Sequence, residues 1–210
     1  APALSPDARY TVTDLNPAML DYARSRQPAD GRIAWQQADA MALPFGNAAF
    51  DLVCCQFGAM FFPDRPAAYR EARRVLKPGG RLLFSVWDRI EENVFADEVT
   101  KALADIFPVD PPRFLARTPH GYHDIAAIHD DLRQAGFTGV AIETRAEQSR
   151  AASPRIPAAA YCQGTVLRTE IEARDPGKLQ AVTDAVAAAI AARHGGGEIA
   201  AKIQAHVILA

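Results

Sequence analysis

Residues 50–87 read FDLVCCQFGAMFFPDRPAAYREARRVLKPGGRLLFSVW, and the order of patterns inside them decides the fold. Phe50–Cys55 runs apolar without interruption after Asp51, as a strand covered on both faces does. Asp64 stands where a helix needs an N-terminal cap, and Ala68, Ala72, Val75 and Leu76 then recur on one side at helical spacing. Pro78-Gly79-Gly80 ends that helix, and Arg81–Trp87 returns to a strand pattern. A strand, a helix and a strand in that order make a unit of parallel sheet with its crossover, which places the chain in the α/β class.

The alternation continues outward on both sides. Upstream, Tyr10–Thr13 and Ile33–Gln37 are strand-like. Between them lies a helix with Asn16 as cap, Pro17 in its first turn and Met19, Leu20 and Ala23 on one face. Downstream, Glu91–Phe107 is helical, and Asp124 opens a helix with Ile125, Ile128, Leu132 and Ala135 inward and Gly136 at its end. Val140–Thr144 is a strand, Gly177–His194 an alanine-rich helix closed by Gly195-Gly196-Gly197, and Ile203–Leu209 a last strand. The expected architecture is a doubly wound, mostly parallel sheet in one domain over residues 1–210. Residues 108–123 and 145–165 contain proline and lack periodicity, and are expected to form cap or lid segments over a pocket beside Cys55–Phe61.

Composition narrows the function classes. A net charge of −2 over 210 residues argues against a strongly basic nucleic-acid binder. With 49% hydrophobic and 23% charged residues the chain has an ordinary globular balance, which excludes global disorder. The apolar run around Ala185–Ala192 is too short to span a membrane. Cys54, Cys55 and Cys162 are odd in number and include a vicinal pair, the usage of a reducing cytoplasm.

Two acids stand out. Asp14 ends a strand just before a helix, where nucleotide-binding α/β folds hold ribose hydroxyls; the plain alternative is that it caps the helix. Asp39 lies just past the second strand, placed to accept from an adenine amino group or, as plainly, to shape a turn. Around them, Thr13-Asp14-Leu15-Asn16-Pro17-Ala18-Met19-Leu20, Ala38-Asp39-Ala40-Met41-Ala42-Leu43-Pro44-Phe45, Phe50-Asp51-Leu52-Val53-Cys54-Cys55-Gln56-Phe57 and Arg74-Val75-Leu76-Lys77-Pro78-Gly79-Gly80-Arg81 follow in order. Together these segments resemble the class I S-adenosylmethionine-dependent methyltransferases, in the branch similar to the ubiquinone and menaquinone biosynthesis enzymes. The resemblance is close over Tyr10–Asp88 and looser over Asp124–Thr144.

The resemblance implies a seven-stranded-type sheet, S-adenosylmethionine as cofactor with S-adenosylhomocysteine as product, and a small-molecule acceptor. It implies that Asp14 holds the ribose hydroxyls and Leu15 lies against the adenine. It further implies that Asp39 and the Ala40 backbone read the adenine, while Cys55 and Gln56 border the methionine portion. In-line attack on a sulfonium methyl needs mainly positioning, and no catalytic triad is called for. Phe57 and Phe61 are candidates for the acceptor pocket, as are His120 and His123; a metal site built from these histidines with His129 lacks a supporting cysteine or motif. Arg70, Arg73 and Arg74 read as a solvated helix face. Two other readings stay open: a methyltransferase-like domain acting through protein contacts without cofactor, and a nicotinamide-dependent oxidoreductase.

The chain departs from the family's pattern at one point. The family's glycine-rich loop follows its first strand, yet Ala1–Arg9 holds no glycine and the first glycine of the chain is Gly31. The expectation is therefore a natural polypeptide extending before Ala1, with a strand lying between Val12 and Val53. Direct pairing of the strands carrying Val12 and Val53 would contradict it.

Overall fold

Two sheets carry the strands of this chain. The computed structural model describes residues 5–210, so Ala1–Leu4 lie outside the described residues. In chain order the elements are β1 (Tyr10–Asp14), α1 (Pro17–Arg26), β2 (Ile33–Gln37), β3 (Phe50–Gln56), α2 (Arg65–Val75), β4 (Leu76–Trp87) and α3 (Val94–Ile106). They continue with α4 (Phe114–Arg117), α5 (Ile125–Gln134), β5 (Ala141–Ala151), α6 (Arg155–Gly164), α7 (Leu167–Arg174), α8 (Leu179–His194) and β6 (Ile199–Leu209). β1 and β2 form a parallel pair, with Val12 opposite Trp35. The second sheet runs β3-β4-β6-β5, parallel between β3 and β4 and antiparallel on both sides of β6. Val53 pairs with Leu82, and β1 is not hydrogen-bonded to β3. Direct pairing of the strands carrying Val12 and Val53 does not occur.

Local chemistry sets the helix ends as the sequence predicts. The Asp64 carboxylate accepts from the Ala67 amide at 2.9 Å and the Asp124 carboxylate from the Ala126 amide at 2.8 Å. Each satisfies an amide that the first turn would otherwise leave without a partner. Gly136 follows α5 at φ +89°, a left-handed conformation that suits glycine.

Two cores result. In the first, Leu82, Phe84 and Val86 of β4 and Ile208 of β6 meet Tyr69 and Ala72 of α2 and Ile128 and Leu132 of α5. In the second, α3, α4, α6, α7 and α8 pack together through Val99, Leu103, Leu115, Cys162, Ile171, Val186 and Ile190. That helical layer also covers Ile199 and Ala201 at the start of β6.

Three expectations need correction. Residues 145–165 are not aperiodic: β5 runs through Ala151 and α6 begins at Arg155. The polar run Arg145–Arg150 hides this strand, because β5 is an edge strand that pairs only with β6 and buries no continuous face. Residues 108–123 include the short helix α4, and Phe114, Leu115 and Tyr122 are buried among the two cores. Finally, Phe50–Cys55 is not covered on both faces. Leu52 is 47% exposed and Cys54 is exposed, because α2 and α5 pack on the other side.

Candidate functional site

Parallel strands of an α/β sheet present their carboxyl ends, and the loops beyond them, to ligands. Here β1, β2, β3 and β4 end at Asp14, Gln37, Gln56 and Trp87. Asp14 is the register partner of Gln37, so Asp14 and Asp39 stand at the same end of adjacent strands. Asp14 is exposed, and its Oδ1 accepts from the Asn16 amide at 2.8 Å. That amide is its hydrogen-bond donor among the described residues, so lone pairs remain for hydroxyl donors. Leu15 beside it is 65% exposed, an apolar surface next to a carboxylate. The Asp39 Oδ1 accepts from the Met41 amide at 2.8 Å and so also shapes its turn.

A clamp missed by the sequence reading fixes the segment after Asp39. Arg74 of α2 donates to the carbonyls of Phe45 at 2.7 Å and Leu43 at 2.9 Å, and to both carboxylate oxygens of Glu71. Glu71 Oε2 in turn accepts from the Leu43 amide at 2.8 Å. The Arg74 guanidinium holds the Glu71 carboxyl below its ordinary value, with the Leu43 amide adding to the effect. Arg74 is thus not part of a solvated face but the tie between α2 and the turn carrying Asp39. Its spacing of three from Glu71 was the signal available in the sequence.

Beyond β3, Cys55 is half-buried and Gln56 exposed. Burial pushes the Cys55 thiol up, against nucleophilic chemistry. Phe57 follows at φ +51°, unusual for a bulky residue, with its amide donating to the Ser85 carbonyl at 3.1 Å. Its ring stacks on Trp87 with centroids 3.9 Å apart, and Trp87 lies 6.2 Å from the His120 ring. Phe61 is 52% exposed. The end of β3 is therefore joined to His120 by a row of aromatic rings.

The same edge holds a buried polar cluster in which His120 and His123 meet Asp88, Asn93, Gln204 and His206, four residues the sequence reading did not single out. Asp88, just past β4, receives Gln204 Nε2 at 2.5 Å and the Arg89 amide at 2.7 Å, and His206 Nε2 sits 3.2 Å from its Oδ1. His206 Nδ1 is hydrogen-bonded to Thr144 Oγ1 at 2.9 Å. Asn93 donates to the Asp88 carbonyl at 3.2 Å and accepts from the Gln204 amide at 3.1 Å. His120 Nδ1 donates to the Asp88 carbonyl at 2.8 Å, and His123 Nδ1 donates to the His120 carbonyl at 2.8 Å. Burial pushes the Asp88 carboxyl up, but the Gln204 and Arg89 hydrogen bonds, with His206 and His123 nearby, more than offset it, leaving it below its ordinary value. Burial moves His120 the other way, below the usual imidazole range. His129 is exposed on α5 and stands outside this cluster's hydrogen bonds.

An open groove of about 800 Å³ lies at the opposite end of the sheet, bordered by Arg73, Lys77, Gly136 and Phe137. It touches none of the residues expected to bind cofactor or acceptor.

Comparison with known proteins gives the chain's relatives by sequence and by fold. A family described as methyltransferase domain matches residues 1–84. The chain is 32% identical over 145 residues to the ubiquinone/menaquinone biosynthesis C-methyltransferase UbiE of Paracoccus denitrificans, covering 63% of this chain and 58% of that protein. It is 44% identical over 148 residues to UbiE of Dinoroseobacter shibae, covering 65% and 59%. The chain thus spans less than two thirds of the length of the curated relatives it matches. Among solved structures it is similar to YcgJ of Bacillus subtilis, with a TM-score of 0.54 and 17% identity over 96% of this chain and 81% of that one. It is also similar to the phosphoethanolamine N-methyltransferase 2 of Haemonchus contortus, with a TM-score of 0.51 and 14% identity over 96% and 43%. No helix among the described residues is long and apolar enough to cross a membrane.

Proposed function

We infer, from a chain that belongs to the class I S-adenosylmethionine-dependent methyltransferases of the UbiE-like branch, that it takes part in methyl transfer from S-adenosylmethionine to a small-molecule acceptor. The observation that carries this reading is the pair Asp14 and Asp39, at the same end of two adjacent parallel strands with the exposed Leu15 between them in sequence. The remaining lone pairs of the Asp14 carboxylate suit the two ribose hydroxyls, and Asp39 with the Ala40 backbone suits the adenine edge. Cys55 and Gln56, at the end of β3, are proposed to border the methionine portion, and Phe57 and Phe61 the acceptor. The residues present fit the adenosine half of the cofactor; no glycine-rich turn precedes β1 within residues 1–210.

The cofactor supplies a methyl group already activated on a sulfonium. The chain's own contribution is to bind, orient and exclude water, which agrees with a Cys55 thiol that burial pushes up and with the aromatic rings beyond it. Residues 108–123 are proposed as a cover for the acceptor rather than a free lid, since Phe114 and Tyr122 are buried among the two cores. The three free cysteines support a cytoplasmic setting.

Calorimetric titration with S-adenosylhomocysteine tests the reading. Saturable binding is expected, weakened roughly tenfold to hundredfold in Asp14→Ala, or ~1–3 kcal/mol for loss of a charge-assisted hydrogen-bond partner. Binding of a nicotinamide dinucleotide in place of S-adenosylhomocysteine would overturn it.

A further inference from the structure

The polar cluster beyond β4 is more elaborate than a connection between core and cap requires, and it ends on one ring. Asp88 is 8% exposed, His206 3% and His120 5%, so three ionisable side chains are withdrawn from water at the carboxyl end of the sheet. Such groups are costly to bury unless each is hydrogen-bonded. A carbonyl oxygen can only accept, so the 2.8 Å contact from His120 Nδ1 to the Asp88 carbonyl fixes that nitrogen as the protonated one. The lone pair of a neutral imidazole then sits on Nε2, the ring nitrogen with no hydrogen-bond partner among the described residues. Nothing on the Asp88 side competes for that lone pair. The carbonyl that sets this tautomer is itself held, with Asn93 on the same oxygen and Gln204 and the Arg89 amide on the side chain of the same residue.

Resting on the methyl-transfer reading above, we propose that His120 is the base of the acceptor site and that Asp88, braced by His206 and Thr144, positions it. The position is suitable: the row Phe57, Trp87 and His120 leads from the end of β3, where the methionine portion is proposed to lie, to the imidazole. In the step, a lone pair of the acceptor atom forms the new bond to the methyl carbon, and the pair of the breaking carbon–sulfur bond stays on sulfur. The proton lost by the acceptor atom passes to His120 Nε2, which becomes an imidazolium. The groups facing His120 are Asp88 past β4, Glu91 in the following turn and His123 on its own segment, with His206 of β6 acting through Asp88. The two carboxylates favour the imidazolium and His123 opposes it. Burial outweighs them and lowers the imidazole from its ordinary value, which favours the neutral ring that a base requires.

Nuclear magnetic resonance of the whole protein with ¹⁵N-labelled histidine rings provides the test, with His120 assigned through its bonded nuclei. The expected spectrum has His120 neutral at pH 7, with hydrogen on Nδ1 and a lone pair on Nε2. Saturating S-adenosylmethionine, its binding verified by calorimetry on the same sample, is expected to shift the Nε2 resonance. Hydrogen on Nε2, a charged ring at pH 7, or an unmoved resonance in the cofactor-bound sample overturns the proposal while leaving the cofactor reading intact. Absence of cofactor binding overturns both. Thr144→Val removes only the hydrogen bond to His206 Nδ1, so the fold is expected to persist by circular dichroism. In that variant a loss of part of the Nδ1–H population of His120 is expected; an unchanged tautomer overturns the positioning role.

Discussion

The β1–α1–β2 unit and the four-stranded sheet are built from similar-looking sequence but held very differently. β1 and β2 bury no residue fully, and α1 buries only Leu20. In β4 alone Leu76, Leu82, Phe84 and Val86 are buried, with Ile208 of β6 beside them. A parallel pair of five-residue strands with one helix is near the lower limit of what is stable in water, whereas four strands under two helices carry a proper core. The difference teaches where the proposed cofactor acids sit. Asp14 and Asp39 belong to the lightly held unit, and the proposed base His120 belongs to the firmly held one. Binding of a cofactor across both would stabilise the first against the second.

The largest expected contrast is in hydrogen exchange. Amides of β4 and β6 should exchange only on global unfolding and those of β1 and β2 by local opening. The gap should be ~4 kcal/mol or more, on the order of 10³-fold in protection. Equal protection in the two units would erase the contrast; added S-adenosylhomocysteine should narrow it by slowing β1 and β2. Chemical denaturation measures the same asymmetry through side chains. Ile208→Ala, in the sheet core, should cost ~2–5 kcal/mol, while Leu20→Ala should move the main transition by less than about 1 kcal/mol.

Arg74 links the two regions, so Arg74→Ala should free the Asp39 turn without unfolding α2. Loss of its bonds to the Leu43 and Phe45 carbonyls should cost ~1–3 kcal/mol of local stability, read as faster exchange of the Leu43 and Ala42 amides. Unchanged exchange there would mean that the turn holds itself. The smallest effect concerns Asp30, whose side-chain hydrogen bond from Arg32 lowers its carboxyl from 3.8 to about 2. A lowered carboxyl stabilises the fold above its unfolded value and stops doing so as pH falls through the folded one. The Asp30–Arg32 contribution to the β2 start should therefore be present above pH 3.8 and fade toward about 2. A carbon-detected titration of Asp30 with a midpoint near 3.8 would show the pair to be unformed in solution.

Much of the sheet region was legible because its signals are local. Asp64 caps α2 and Asp124 caps α5, and apolar positions recur at helical spacing between cap and stop. The placing of Asp14 and Asp39 at the ends of adjacent strands was legible for the same reason, since strand ends are properties of short segments. The helices α6 and α7 escaped notice because Pro157 stands in the first turn of one, where proline reads as a break, and the other is mostly polar outside Leu167 and Ile171. His206 and Asp88 lie far apart in the chain, and only the antiparallel return of β6 brings them together. No window of sequence contains that encounter.

β6 itself passes through both cores, with Ile199 and Ala201 under the helical layer, Ile208 in the sheet core and His206 between them. One continuous strand joins the two cores with no loop between them, so the backbone of β6 is a direct path from the helical layer to the sheet core. The His206–Asp88 contact lies on that path. A bulky occupant pressing on the cap would thereby alter the mounting of His120, so the size of an acceptor and the readiness of its base would be adjusted by the same strand.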